Sequence, residues 1–464
     1  MKKNILLIFV ISLGFSGCMM GPDFQKPVVN TPAEFNYEMV KTDTVLNLRW
    51  WELFQDPQLV TLIDTALKNN KNILIAASRV EEARLVVGYT KADQWPSIGY
   101  TGKASRMDLN LLGNNDASNS FSTMGNINWE IDFWGKYRRS TESARADLLA
   151  TRYAHRIVQV SLISEIANTY FLLLNFKAKL EISKQTLNTR QEGLRIMNSK
   201  FEHGVIPQID LNQAEIQEAI AASAVPTFIR AIAQTEHALS ILLGQNPDSM
   251  GSIGKLSDEQ APEIPAGIPS ELLERRPDVM QAEYVLAAQN ARIGIAQAMR
   301  FPSISLTGSL GMASGDLSSF LSSPAWSFGA GITGPILNFG KNKRRVEIEK
   351  QRTEQALLNY ENVVLQSFRE VEDALVEIQT LEQELQAVLR QKNASENAVM
   401  LSHERYHEGV TSYLEVLDSD RSQFNADLAA ADTYQRYLNA HVKLYKALGG
   451  GWISPEEEKG STEE

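Results

Sequence analysis

The chain is written twice. Trp95-Pro96-Ser97-Ile98 returns as Phe301-Pro302-Ser303-Ile304, and Trp134-Gly135-Lys136 returns as Phe339-Gly340-Lys341. Further on, Phe201-Glu202-His203-Gly204-Val205 returns as Tyr406-His407-Glu408-Gly409-Val410, and Leu243-Gly244 as Leu448-Gly449. The offset is 206 residues for the first pair and 205 for the other three. A period of that length is too long for a solenoid repeat and marks a duplicated structural unit.

Each unit opens with two alternating segments. In the first, Ile98, Tyr100 and Ala104 oppose Ser97, Thr101, Lys103 and Ser105; then Phe121, Ile127, Trp129, Ile131 and Phe133 oppose Ser122, Asn126, Asn128, Glu130 and Asp132. The second unit answers with Ile304, Leu306, Leu310 and Met312 against Ser303, Ser305, Thr307 and Ser309, then Trp326, Phe328, Ala330 and Ile332 against Ser327, Gly329, Gly331 and Thr333. A period of two with one apolar face predicts half-buried strands. Strands of about ten residues with that pattern also suit a transmembrane barrel, apolar toward lipid and polar toward a wet lumen. Four of them cannot close a barrel alone.

A long stretch without proline follows each strand pair. Lys136 to His203 and Lys341 to Glu408 each count 68 residues, which as continuous helix would reach about 100 Å. In the second stretch Val364, Phe368, Val371, Leu375, Ile378, Leu381, Leu385 and Val388 step by fours and threes, a heptad-like seam. Doubled pairs such as Val363-Val364 and Leu375-Val376 widen the stripe toward neighbours on two sides, although an isolated dimeric coiled coil would carry the same seam. Both stretches end at Gly-Val, Gly204-Val205 and Gly409-Val410, and a second amphipathic stretch follows, from about 209 to 243 and from about 414 to 448. Glycine just past a helix end supplies the left-handed residue, so each unit reads as a helix that turns at its tip and returns. Pro226 is expected to interrupt or kink the first returning helix.

The amino terminus reads as an export signal. Lys2-Lys3 precedes an apolar run from Ile5 to Leu13, and then Phe15-Ser16-Gly17-Cys18 resembles a lipoprotein cleavage site. The run is short for a membrane anchor. Cys18 is the one cysteine in the chain, so no internal disulfide can form and acylation, with palmitate among the attached chains, is the economical use of its thiol. A formal charge of −11 at pH 7 makes nucleic acid a poor partner.

Two motifs invite an enzymatic reading. His403-Glu404-Arg405-Tyr406-His407 fits H-E-x-x-H, which on a helix places two histidines on one face for zinc with the glutamate as general base. The repeat aligns this stretch with Asn198 to Glu202, so the demands of a helix tip account for Arg405, Tyr406 and Gly409, and no third ligand is evident. Gly329-Ala330-Gly331-Ile332-Thr333-Gly334 fits G-x-G-x-x-G, but two of its glycines fall on the polar face of an alternating strand rather than at a strand-to-helix turn.

Further stretches carry a resemblance. They are Gly21-Pro22-Asp23-Phe24-Gln25-Lys26-Pro27, Trp50-Trp51-Glu52-Leu53-Phe54 with Asp56-Pro57, Leu211-Asn212-Gln213-Ala214-Glu215, Leu272-Leu273-Glu274-Arg275-Arg276-Pro277-Asp278, the Phe301 to Leu306 strand, and Tyr413-Leu414-Glu415-Val416-Leu417-Asp418. With them the chain resembles TolC-like outer-membrane efflux channels, in the NodT-type lipoprotein branch that serves resistance-nodulation-division tripartite pumps. The departures are Phe15, where such sites usually carry leucine, and the histidine pair.

The resemblance implies a mainly α fold with a β-barrel portion, in which three copies of the duplicated unit close a twelve-stranded outer-membrane barrel continuous with a long periplasmic α-helical barrel. It divides the chain into a signal peptide 1–17, a lipidated segment and belt 18–56, a first repeat 57–244 with strands near 97–107 and 120–133, a belt linker 245–276, a second repeat 277–449 with strands near 303–313 and 326–337, and a tail 450–464. The implied function is the exit duct for small toxic compounds, contributing to drug resistance. Its implied partners are two further copies of the chain, outer-membrane lipid, a periplasmic adaptor docked on the tips at Gly204, Val205, Gly409 and Val410, and an inner-membrane pump. Leu414, Asp418 and Arg421 share a helix face by spacing; the resemblance turns that face inward as the periplasmic gate, with Arg421 reaching an acidic residue of a neighbouring helix. No catalysis, cofactor or metal is expected. The alternatives are a type I secretion duct, a periplasm-spanning coiled-coil lipoprotein without a pore, and a zinc peptidase acting through His403, Glu404 and His407.

Overall fold

The computed structural model describes residues 19–29, 32, 49–107, 117–251, 254–262 and 275–450. The signal segment, Cys18 and the tail from 451 lie outside the described residues. In chain order the helices are α1 (Pro57–Asn69), α2 (Lys71–Ala92), α3 (Lys136–Glu202), α4 (Gln208–Leu242), α5 (Pro277–Ala298), α6 (Lys341–His407) and α7 (Tyr413–Ala447). The strands are β1 (Ser97–Met107), β2 (Ser118–Ile131), β3 (Ser303–Ser314) and β4 (Pro324–Thr333). The duplication is carried through to the residue: α2 and α5 both have 22 residues, α3 and α6 both 67, and α4 and α7 both 35. The chain separates into two compact units, one of residues up to 29 with 78–153 and 280–363, the other of 30–77, 154–279 and 364 onward.

The first unit holds a four-stranded antiparallel sheet in the order β1-β2-β3-β4. Its register lines up the apolar faces: Ile98 pairs with Ile127, Ala104 with Phe121, Trp129 with Leu306, Ile131 with Ile304, Leu310 with Trp326 and Ile304 with Ile332. A slip of one residue would scatter them over both sides. Two boundaries differ from expectation. β2 ends at Ile131, short of Phe133, because Asp132 turns to serve the next helix, its carboxylate accepting the N–H groups of Tyr137 (3.0 Å) and Arg138 (2.8 Å). β4 ends at Thr333 and not near 337, since Gly334 is pressed on Pro302 and Pro335 has no N–H for the ladder. The G-x-G-x-x-G match lies mostly within β4, where side chains at Gly329 and Gly331 would crowd Thr307 and Ser305 at 3.3 and 3.2 Å.

In the second unit the seam of α6 is interior. Val364, Phe368, Val371, Leu375, Ile378, Leu381 and Leu385 are all buried, and Val388 is half-buried. Each such side chain contributes about 1.5–3 kcal/mol on leaving water. A short 3-10 turn, Trp50–Phe54, packs on the same interior, with Trp50 stacked on Tyr445 at 5.2 Å and Phe54 on Phe171 at 5.1 Å. The Arg-Arg-Pro-Asp element ties this unit together through the buried Arg276. Its guanidinium holds Asp278 with two hydrogen bonds (3.0 and 2.6 Å), Glu370 at 2.7 Å and the carbonyl of Ala447 at the end of α7 at 2.8 Å. The expected interruption at Pro226 does not occur. The residue lies inside a continuous α4 on its exposed side, where the carbonyl left without a donor can be hydrated.

Candidate functional site

The sheet exposes what a water-soluble sheet would cover. On its apolar side Ile98, Tyr100, Trp326 and Ile332 are 80, 91, 77 and 75% exposed. The opposite side carries hydroxyls, amides, glycines and Lys103, tied across strands by bonds such as Asn126 to Thr101 (2.9 Å) and Ser309 to Ser327 (2.7 Å). Aromatic residues stand at all four junctions between strand and helix: Trp95 before β1, Phe133 and Trp134 after β2, Phe301 before β3 and Phe339 after β4. Trp134 stacks on Phe301 at 4.5 Å and donates to the Pro302 carbonyl at 2.8 Å. An apolar band bordered by aromatics is the pattern of a strand wall that meets lipid. Thus the first two landmarks of the sequence repeat are border aromatics.

The residues just after Cys18 are pinned at one of these junctions. Met20 donates to the Trp134 carbonyl at 3.2 Å. Arg139, 1% exposed, donates to the carbonyls of Met20 and Gly21 (both 3.0 Å) and to Asp23 (2.8 Å). Gly21 lies against Gly294 so closely that a Cβ on either would stand 2.5 Å from backbone. Lys26 then pairs with Glu283 at 2.9 Å.

The helix tips are built alike. Gly204 and Gly409 have φ of 68° and 70°. At the first tip Val205 donates to Lys200 and Gly204 to Phe201; at the second Val410 donates to Arg405 and Gly409 to Tyr406. Both are Schellman turns, which leave Val205 and Val410 exposed at the ends. The second tip is braced by Arg405 on Glu415 (3.4 Å), His403 on Asp420 (3.1 Å), and the Tyr406 and Tyr413 rings 5.5 Å apart. Lys200 of the first tip donates to the Tyr406 hydroxyl at 3.4 Å.

On α7 the structure brings Leu414, Asp418 and Arg421 to one exposed face. Arg421 differs from expectation in its partner: it pairs with Asp418 of its own helix at 2.5 Å, a spacing of three residues that needs no second helix.

The sequence profile of the outer membrane efflux protein family matches residues 62–245 and again 268–450. The chain belongs to that family. It is 36% identical over 461 residues to the cation efflux system protein CusC of Escherichia coli (strain K12), covering 96% of this chain and 99% of that one. It is 33% identical over 466 residues to the antibiotic efflux pump outer membrane protein ArpC of Pseudomonas putida, covering 97% and 96%. The Campylobacter jejuni CmeC outer membrane channel superposes with a TM-score of 0.88 at 27% identity, over 96% of this chain and 98% of that one.

The outer membrane efflux proteins are channels and not enzymes as a family. Among the described residues no three His, Cys, Asp or Glu side chains are grouped to hold a metal. His403 is engaged by Asp420, and the ring of His407 lies 6.2 Å from that of Tyr406. Nothing in the sequence pattern points to Arg190, about three turns short of the end of α3. It is mostly buried, donates to the Gln217 carbonyl at 2.7 Å and lies 5.1 Å over the Phe424 ring. Burial pulls its guanidinium below the ordinary value, with Asp420 opposing. The second repeat carries Ser395 at the matching place, so the duplication could not point to it.

Proposed function

We propose that three copies of this chain close into one duct, the outer-membrane exit of a tripartite pump that expels small toxic compounds. The observation that carries this reading is the sheet: β1 and β4 are its edges, and one face is apolar, exposed on the edge strands and mostly half-exposed on the two between them. Joining β4 of one copy to β1 of the next removes the edges and turns the apolar faces to lipid. In this reading Cys18 is acylated and its acyl chains enter the membrane beside Trp134, since Met20 is pinned there. Multiple chains anchor firmly, each buried methylene adding about 0.8 kcal/mol. The tips at Gly204-Val205 and Gly409-Val410 receive a periplasmic adaptor, which links the channel to an inner-membrane resistance-nodulation-division pump. Leu414, Asp418 and Arg421 form the gate. Relatives named for cations and for antibiotics leave the cargo to the pump.

The test is chemical crosslinking in outer membranes followed by planar-bilayer recording of the purified species. The expected result is a crosslinked species of three chains that conducts ions. A monomer or dimer without conductance would sink the reading in favour of a non-pore lipoprotein.

A further inference from the structure

The stretch that leaves the first repeat, itself part of the second unit, is fastened to the head of α1 through two carboxyl groups, a buried Glu259 and a half-buried Asp56. Glu259 is 4% exposed, and its side chain lies within hydrogen-bonding reach of Asp56. Asp56 caps α1. Its Oδ1 accepts the N–H groups of Gln58 (2.7 Å) and Leu59 (3.4 Å), and its Oδ2 accepts the hydroxyl of Tyr170, a fully buried side chain of α3. Three donors on its oxygens leave Asp56 in the role of acceptor. The two groups can stay in contact only if Glu259 carries a proton and donates it to Asp56. The same donors argue against a cation between them, because the four lone-pair positions of Asp56 are then all filled.

The other contacts of this stretch are neutral. Tyr434 of α7 donates to the Glu259 carbonyl, Gly254 donates to the Gln58 side chain at 3.0 Å, and Leu256 is buried. The charges facing Glu259 share one sign: Asp56 at the head of α1 and Asp258 in its own stretch, while Tyr170 and Tyr434 present hydroxyls. Burial first, and Asp56 second, push the Glu259 carboxyl up to about 8. Glu259 Oε2 has no hydrogen-bond partner among the described residues, which a neutral carboxyl tolerates far better than a carboxylate.

We propose that Asp56, Glu259 and Tyr170 form a proton-operated latch, in which the Glu259 proton holds residues 254–262 on the helices and its loss in alkaline medium releases them. The latched form binds one proton more than the released form, whose carboxyl returns toward the ordinary 4.5. The latch is therefore strongest at low pH. It weakens as pH rises, by about tenfold per pH unit until the folded-state value near 8 is passed, and then changes no further.

Hydrogen–deuterium exchange on the full-length protein in detergent, corrected for intrinsic exchange at each pH, reads the latch directly. Protection of the amides in 254–262 should fall about tenfold per pH unit from pH 6 to 8 and level off above, while α3 keeps its protection. Glu259→Gln retains a donor for Asp56 and cannot ionise, so its profile should be flat. Asp56→Asn keeps the cap but removes the neighbouring charge, and the levelling should move to lower pH. Constant wild-type protection across the range would overturn the latch, as would a Glu259→Gln profile that falls as steeply as wild type. Should the variants fold poorly, the wild-type profile and its alkaline plateau still decide.

Discussion

The sheet and the helices sort the same apolar residues in opposite directions. Along α6 the seam from Val364 to Leu385 is buried within a single chain, whereas on the edge strands of the sheet Ile98, Trp326, Phe328 and Ile332 stand exposed. A water-soluble protein rarely leaves so wide an apolar face open. The helices complete much of their core alone, and the sheet is shaped for a solvent that is not water. Breaking the helical core should therefore have the largest effect. Phe171→Ala removes a fully buried ring packed on Phe54 and should cost about 3–5 kcal/mol. Folded yield and thermal unfolding would register it, and a loss under about 1 kcal/mol would mean that the helical core is not where stability resides.

The next test sharpens the two faces of the sheet against each other. Phe328→Arg places a charge on the apolar side and should cost about 2–4 kcal/mol at mid-membrane depth, with little effect from Thr307→Arg on the polar side. Stability of the refolded protein in lipid measures both. The reverse order would turn the barrel inside out.

Much of this contrast could be read from residues, because both periodicities are long and uninterrupted. The alternation in 303–313 and the fours and threes from Val364 to Leu385 predict their faces with no knowledge of neighbours. What escaped depends on single side chains that answer to distant partners. The alternation at Asp132 predicts strand, but its carboxylate serves the first N–H groups of α3. Pro226 carries a local penalty against helix, yet packing around α4 keeps the helix continuous. Near the start of α7, spacing predicts one face for Asp418 and Arg421, and the partner is decided by three residues along the helix. Glu259 has no sequence pattern, since its neighbours Asp56 and Tyr170 are brought to it by the fold.

Glycine sets a smaller difference, between the base of one helical hairpin and the tip of the other. Gly244 and Gly409 share a positive φ, but a Cβ at Gly244 would stand 2.4 Å from the Asn69 carbonyl oxygen, while one at Gly409 meets nothing within 4 Å. Gly409→Ala should cost about 1–2 kcal/mol of local strain, and Gly244→Ala should cost more. The tip is thus open to bulk that the chain itself does not oppose. Gly409→Trp should leave the yield of assembled protein intact and abolish efflux in a susceptibility assay; normal efflux would move the adaptor site away from the tip.

The smallest change in stability is expected at Asp418 and Arg421. Their pair is exposed on both sides and lies within one helix, so it contributes no more than about 1 kcal/mol, and its removal should barely shift unfolding. Conductance is the sensitive readout. If three copies bring this face to a pore, each guanidinium offsets its own carboxylate, and the single variants separate their roles. Arg421→Ala would bare a ring of carboxylates and raise cation preference, while Asp418→Ala would bare guanidinium groups and lower it. The double variant removes both charge and bulk, so single-channel conductance should rise above wild type, with ion preference between those of the single variants. Because Leu414 shares the face without a charge, Leu414→Ala should raise conductance and leave ion preference unchanged. Conductance and selectivity equal to wild type in all four variants would take these residues out of the gate and leave the Asp418–Arg421 pair as a solvated feature of α7.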